Sequence, residues 1–215
     1  MLELTPELAK DWAATVGRIE REIPWRMQDW TTSINADQVR SKYWVAEILK
    51  DLMDKGMVAT PDKDSWACQI GAWNNSLMCP LLVEKLGYTN LVSMDIDPDS
   101  KLIHNACNKR LRQQHHIEYK IRDIVFEKPD WAPYNLIVNT SCEHMYPMKD
   151  VFEDRAIQED CVFAFQSANL FSEKGHINCV EYVEELIDQS GLTEILYANE
   201  LQLSKFRRFM VIGRR

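Results

Sequence analysis

From about residue 64 onward, short apolar runs alternate with segments whose apolar positions recur every three or four residues. The runs SWACQI, NLVSMDI, IEYKI, YNLIVNTS and CVFAFQS predict buried strands, and TEILYANEL and RFMVIGR predict two more at the end. Between them, SLMCPLLVEKLG, DPDSKLIHNACNKRLRQQ and MKDVFEDRAIQ predict helices. So does NCVEYVEELIDQSG, with Val180, Val183, Leu186 and Ile187 on one face. Strands that are apolar almost throughout belong to a parallel sheet covered on both faces. The last two strands are separated only by QLSK, too short for a helical crossover, so they should pair antiparallel. The expected fold class is α/β and Rossmann-like. It has a seven-stranded, mostly parallel sheet with an antiparallel last strand, plus an N-terminal helical extension.

That extension covers residues 1–63 and the sheet-forming domain residues 64–215. Thr5, Pro6 and Glu7 supply a cap, a first-turn proline and an early acid. The helix that follows carries Leu8, Trp12, Ala13, Val16 and Ile19 on one face, and Pro24 ends it. A second helix is expected after a cap at Asp37, with Val39, Tyr43, Ala46, Leu49 and Met53 on one stripe and Gly56 as its stop. Between them, PWRMQDWTTSIN reads as a loop packed over something. Aromatics at helical spacing are usually core; Trp12 is read so, whereas Trp25 or Trp30 is read as part of a lid.

Charge narrows the partners. The 215 residues carry a formal net charge of -8 with 46% hydrophobic residues, enough apolar material for a core and no broad basic footprint. Bulk nucleic acid and anionic membrane are therefore not expected as main partners, although Lys205, Arg207 and Arg208 could form a local basic patch. None of the six cysteines forms a CxxC pair, and most lie in apolar runs, so reduced core thiols are expected. The start MLELTPELAK lacks the basic residues and apolar run of a secretion signal, and no stretch is long enough to span a bilayer. The expectation is a soluble, cytoplasmic protein.

In open α/β sheets, ligands sit beyond the carboxyl ends of the strands. Three polar features fall at such ends. Gly71 ends the first strand and is either a plain turn residue or a place where backbone approaches a ligand. Asp95, inside the apolar run VSMDI, is suited to accept both hydroxyls of a ribose, because an unpaired carboxylate there would be costly. Its neighbour Asp97 has a ready role as a helix cap. Asp123 follows the third strand and either accepts from the exocyclic amine of a base or serves as an ordinary loop acid.

In this order the segments CQIGAWNNS, LVSMDIDPDSKLIHNA, IRDIVF, YNLIVNTSCEHM, GHINCVEYVEELIDQSGLTEI and RFMVIGR resemble the class I S-adenosylmethionine-dependent methyltransferases over residues 64–215. The resemblance implies S-adenosylmethionine as cofactor. Gly71, Ala72 and the backbone near Asn75 would border its methionine part. Asp95 would hold the ribose, and Asp123 and Ile124 would flank the adenine. Ile96 and Asn139 join the implied cofactor-binding set. Four positions depart from the family. Gln69 replaces an acid before the first glycine, Trp73 and Asn75 replace later glycines, and Asn135 replaces an acid at the start of the fourth strand.

Methyl transfer needs positioning, and a base only where the acceptor carries a proton. Glu143 and His144, after the fourth strand, are the candidate catalytic residues, with His144 as base and Glu143 orienting it or the acceptor; bonding to loop backbone is the alternative role. His176 after the fifth strand could reach the substrate. No metal is expected: Cys142, His144 and His176 lack a convincing fourth ligand. Sequence neighbours Cys142 and His144 are a poor nucleophile pair. The expected function is methyl transfer to a small molecule or a protein side chain. The alternatives are a module that keeps the fold without catalysis and a nicotinamide-dependent oxidoreductase. The absence of GxGxxG and the antiparallel end of the sheet count against the latter.

Overall fold

The structure, a computed structural model, describes residues 5–215; the first four, part of the start examined for a secretion signal, lie outside the described residues. The strands are β1 (Trp66–Ile70), β2 (Asn90–Asp95), β3 (His116–Ile121), β4 (Leu136–Asn139), β5 (Val162–Ala168), β6 (Glu194–Gln202) and β7 (Arg207–Arg214). They form one seven-stranded sheet in the order β3-β2-β1-β4-β5-β7-β6. The first five strands run parallel, and β7 lies antiparallel to both β5 and β6. The expected antiparallel final strand is thus present, inserted between β5 and β6. Strand order reverses between β1 and β4, so a cleft opens beyond their carboxyl ends. Because β7 runs the other way, its first residues reach that same edge.

Alternation along the apolar strands feeds two cores. Ala67, Ala164, Met210 and Ile212 face the side covered by α3 (Ala36–Asp54), while Cys68, Phe163, Phe165 and Val211 face the side of α7 (Met148–Val151) and α8 (Val183–Ser190). Helix α3 buries Val45, Ala46, Leu49, Leu52 and Met53, a wider stripe than the sequence pattern gives. Ser41 Oγ donates to Gln166 Oε1 at 2.9 Å, and Gln166 Nε2 donates back to the Ser41 carbonyl at 3.2 Å, tying α3 to β5. Helix α1 (Pro6–Glu22) starts as expected, with Leu8 N–H donating to Thr5 Oγ1 at 3.2 Å.

Several boundaries differ from the sequence reading. The expected loop after Pro24 is helical: a 3-10 turn over Pro24–Arg26 runs into α2 (Met27–Ser33). Its Trp30 is 4% exposed, meets Trp12 edge-on and donates to Cys107 Sγ, so Trp30 is core and not lid. Asn35, not Asp37, caps α3, accepting from Gln38 N–H at 2.9 Å. The helix expected after Asp97 breaks at Asn108 into α5 (Pro98–Cys107) and α6 (Lys109–Gln114). The helix expected over residues 76–87 is a single turn, α4 (Met78–Pro80), that widens to π geometry over Leu81–Lys85, with Leu86 N–H donating to Leu81 O. Only Met148–Val151 of the predicted segment 148–158 is helical. Helix α8 begins at Val183, so Val180 is buried from the stretch before it rather than from the helix face.

Candidate functional site

The turn after β1 holds three consecutive left-handed positions in alternation: Gly71, Trp73 and Asn75 have φ of 55°, 44° and 47°. Such geometry is costly for a side chain, and two anchors hold it. Trp73 N–H donates to Asp95 Oδ2 at 2.7 Å, and Tyr119 Oη donates to the Trp73 carbonyl at 2.8 Å. Asn75 spends its side chain in the interior: Nδ2 donates to Ser93 Oγ at 2.7 Å and Oδ1 accepts from Cys79 N–H at 2.8 Å. The departure from glycine at 75 is therefore a strut beneath the turn.

Asp95 ends β2 half-buried. Its Oδ1 accepts from Asp97 N–H at 3.0 Å, so both oxygens already have backbone partners. Asp95 is therefore not the unpaired carboxylate expected from its apolar surroundings in the sequence. A carboxylate can accept more than these two bonds, and Asp95 lines the cavity at this edge. Asp97 caps α5, accepting from Asp99 N–H at 2.9 Å, and pairs with Arg26. Partial burial would raise its carboxyl, but hydrogen bonds from Arg26 and Ser100 hold it below the ordinary range. Asp123 accepts from Val125 and Phe126 N–H through Oδ1, the local loop bonding that was its alternative role, and leaves Oδ2 free.

Two cavities meet at this edge. The larger, about 580 Å³, lies over Gly71, Asp95, Ile96, Asp123, Ile124 and His144, within the size range of small-molecule sites. Its wall also carries Trp73, Met94, Met145 and Tyr146, which the sequence did not single out for the site except Trp73. The smaller, about 90 Å³, is lined by Lys42, Gln69, Ala72, Asn75, Glu143 and Arg208. Gly71, Trp73, Ser141 and His144 border both. A Cβ built on Gly71 would run into Met145 Cε, the flexible tip of a side chain that would have to shift, and the positive φ there also favours glycine. Asn139 lines neither cavity: its Oδ1 accepts from Ser141 N–H and its Nδ2 donates to the sulfurs of Met145 and Met148.

The smaller cavity has a charged floor. Arg208 Nη1 donates to Glu143 Oε1 at 2.6 Å, with both side chains 4% exposed. Burial alone would raise the Glu143 carboxyl; the Arg208 charge outweighs it and keeps that carboxyl below the usual range. Burial, then the Arg208 charge, brings the half-buried Lys42 ammonium down to about 7 against the pull of Glu143. His144 opens onto the cavities, yet desolvation by the surrounding walls lowers its imidazole, with Glu143 opposing. Burial raises the Cys142 thiol well above its ordinary value, consistent with a packing role. All six cysteines are free thiols. Arg207 pairs with Glu181 and Glu200 while Arg208 turns inward, so the two do not share the surface patch read from the sequence. No described helix is long and apolar enough to cross a membrane.

The strand order fixes the architecture. The chain has the class I methyltransferase fold. No protein-family model and no curated protein matches its sequence. Among solved structures it is similar to the N-methyltransferase NodS from Bradyrhizobium japonicum WM9 (14% identity, TM-score 0.61), covering 85% of this chain and 98% of that one. It is similar to geranyl diphosphate C-methyltransferase from Streptomyces coelicolor A3(2) in complex with Mg2+, geranyl-S-thiolodiphosphate and S-adenosyl-L-homocysteine (11%, TM-score 0.59), covering 85% and 82%. The [4+2]-cyclase SpnF is a third (11%, TM-score 0.57), covering 78% and 80%. At these identities the likeness is one of fold, and that fold hosts more than one reaction.

Proposed function

We propose that this protein binds S-adenosylmethionine in the larger cavity and transfers its methyl group to a small molecule or a protein side chain. The observation that carries the reading is the position of Asp95: at the end of β2, on the cavity wall, clamped to the turn after β1. The residues present fit the cofactor. Asp95 offers its remaining lone pairs to the ribose hydroxyls. Asp123 Oδ2 and the wall made by Ile96, Ile124 and Phe126 suit an amino-bearing planar base. Gln69, where an acid is usual, is 2% exposed, and its Oε1 has no hydrogen-bond partner. As a neutral acceptor at the smaller cavity it serves the methionine ammonium, near Gly71 and Ala72.

The cofactor when bound supplies an electrophilic methyl group for in-line displacement. The protein's own contribution is positioning. His144, at the border of both cavities and held neutral, is the group to take a proton from an acceptor that carries one. Glu143, fixed by Arg208, supplies the negative charge beside it. The resemblance of the six sequence segments and the known methyltransferases that share the fold support the same reading.

Calorimetric titration with S-adenosylmethionine and S-adenosylhomocysteine tests it. Both should bind, and Asp95→Asn should weaken both at least tenfold; the variant also loses one of the two backbone hydrogen bonds, so circular dichroism checks that it stays folded. Absence of heat at high concentration of folded wild-type protein would overturn the proposal.

A further inference from the structure

Glu143, His144 and His176 come from two loops, after β4 and after β5. One carboxylate oxygen and one nitrogen from each ring all lie within 4.8 Å of one another. The two rings meet edge to face with centroids 4.4 Å apart. His144 Nδ1 sits 3.2 Å from the Gly175 carbonyl and His176 Nδ1 sits 2.8 Å from the Leu170 carbonyl. A carbonyl only accepts, so each Nδ1 carries the proton, and each Nε2 is left as a lone pair. Glu143 is 3% exposed; Oε1 is taken by Arg208, and Oε2 has no partner. The carboxylate and the two rings therefore lie close together, and Glu143 Oε2 and the two Nε2 atoms are the ones not engaged by the hydrogen bonds above. Glu143 Oε2 is buried without a partner, which costs free energy, while His144 is exposed and His176 half-buried, so an ion can reach all three from the cleft side.

We propose that Glu143, His144 and His176 bind a divalent first-row transition-metal ion. Two imidazoles and one carboxylate select such an ion over Mg2+ or Ca2+, which prefer all-oxygen shells. The outer partners are those a metal site uses: each ring is oriented by a carbonyl at its other nitrogen, and the carboxylate is held by Arg208. Three protein ligands leave at least one position open, and His144 borders both cavities, so that position faces the cleft. Ligand atoms on one ion at about 2.0–2.1 Å stand roughly 3.3 Å apart, a spacing that small side-chain shifts within the 4.8 Å cluster can reach. The Arg208 charge opposes the ion and favours a moderate, exchangeable affinity.

The open position suits an oxygen, nitrogen or sulfur atom of the acceptor. With the ion bound, the His144 lone pair is a ligand and no longer a proton acceptor; the ion itself weakens the acceptor's hold on its proton. The metal site stands on its own geometry, and this role for it rests on the methyl-transfer reading.

The test is equilibrium dialysis of the full chain against Zn2+ and Co2+, with metal analysis and the visible spectrum of the cobalt form. Wild type should bind one equivalent and give ligand-field bands in the visible. His176→Ala and His144→Ala should each weaken binding at least tenfold and change those bands. His116→Ala, on the opposite edge of the sheet, should change neither. Glu143→Gln endangers folding through Arg208, so the histidine variants, checked by circular dichroism, decide. Failure of folded wild type to hold an equivalent, or unchanged binding by the His144→Ala/His176→Ala double variant, would overturn the proposal. Metal binding without cofactor binding would sink only the methyl-transfer reading, and the converse only the metal site.

Discussion

Arg208 and Glu143 form a buried ion pair, 2.6 Å between Nη1 and Oε1, that joins the start of the last strand to the loop after the fourth. The pair lies at the small cavity beside Lys42, and it exists because β7 runs antiparallel and delivers its first residues to the ligand edge. Removing one partner leaves the other charged and out of water. Arg208→Met or Glu143→Gln should each destabilise the fold by about 3–5 kcal/mol in urea titrations. The double variant Glu143→Leu/Arg208→Met should lose less than either single change. A cost below about 1 kcal/mol for the singles would mean water reaches the pair.

Gly71→Ala places a side chain at a φ of 55° and against Met145 Cε. The backbone cost alone is about 1–2 kcal/mol. Adding Met145→Ala should relieve the contact and restore part of the stability, leaving the backbone share. Thermal denaturation of the single and double variants separates the two contributions, and full recovery in the double would show that the turn tolerates a Cβ.

Tyr119→Phe removes the hydrogen bond to the Trp73 carbonyl, one of the two anchors of the turn. Global stability should fall by about 1 kcal/mol. S-adenosylmethionine affinity should fall several-fold, because the backbone it meets is no longer fixed. Hydrogen exchange over residues 71–76 should speed up in the variant; unchanged exchange would place the anchoring elsewhere.

His104 is fully buried, and burial first, then the charges of Arg112 and Lys101, brings its imidazole down to about 3. The folded protein therefore keeps it neutral where the unfolded chain, near 6.5, takes up a proton. Its contribution is intact above pH 6.5 and is lost as pH falls toward 3, at up to about 1.4 kcal/mol per pH unit. Stability measured between pH 7 and 4.5 should fall less steeply in His104→Gln than in wild type. Parallel slopes would show that His104 is solvated in the native state.

The central runs were legible because β1, β2, β4, β5 and β7 are buried on both faces along most of their length and stand out from their helical neighbours, whereas the edge strands β3 and β6 are more exposed. Helix ends were less legible. Asn35 outcompetes Asp37 as a cap, and Asn108 splits a segment whose apolar positions continue through it. Nothing local distinguishes Trp25, 66% exposed, from Trp30, 4% exposed; packing against Trp12, Ile103 and Cys107 makes the difference.

By itself the sequence determined the α/β class, the number of strands, the antiparallel end and the edge where Gly71, Asp95 and Asp123 gather. These follow from hydrophobic period and strand-to-helix order, which act over a few residues. Only the tertiary structure decided which polar atoms remain available there. Asn75 and Asn139 turn into supporting hydrogen bonds, and Asp95 anchors the turn it was read to border. Arg208, Lys42 and Gln69 close a pocket with Glu143, and His176 meets His144 across two loops. Hydrogen bonds and charges are satisfied in space, by partners 65 residues apart in the Glu143–Arg208 pair, and no local pattern carries that information.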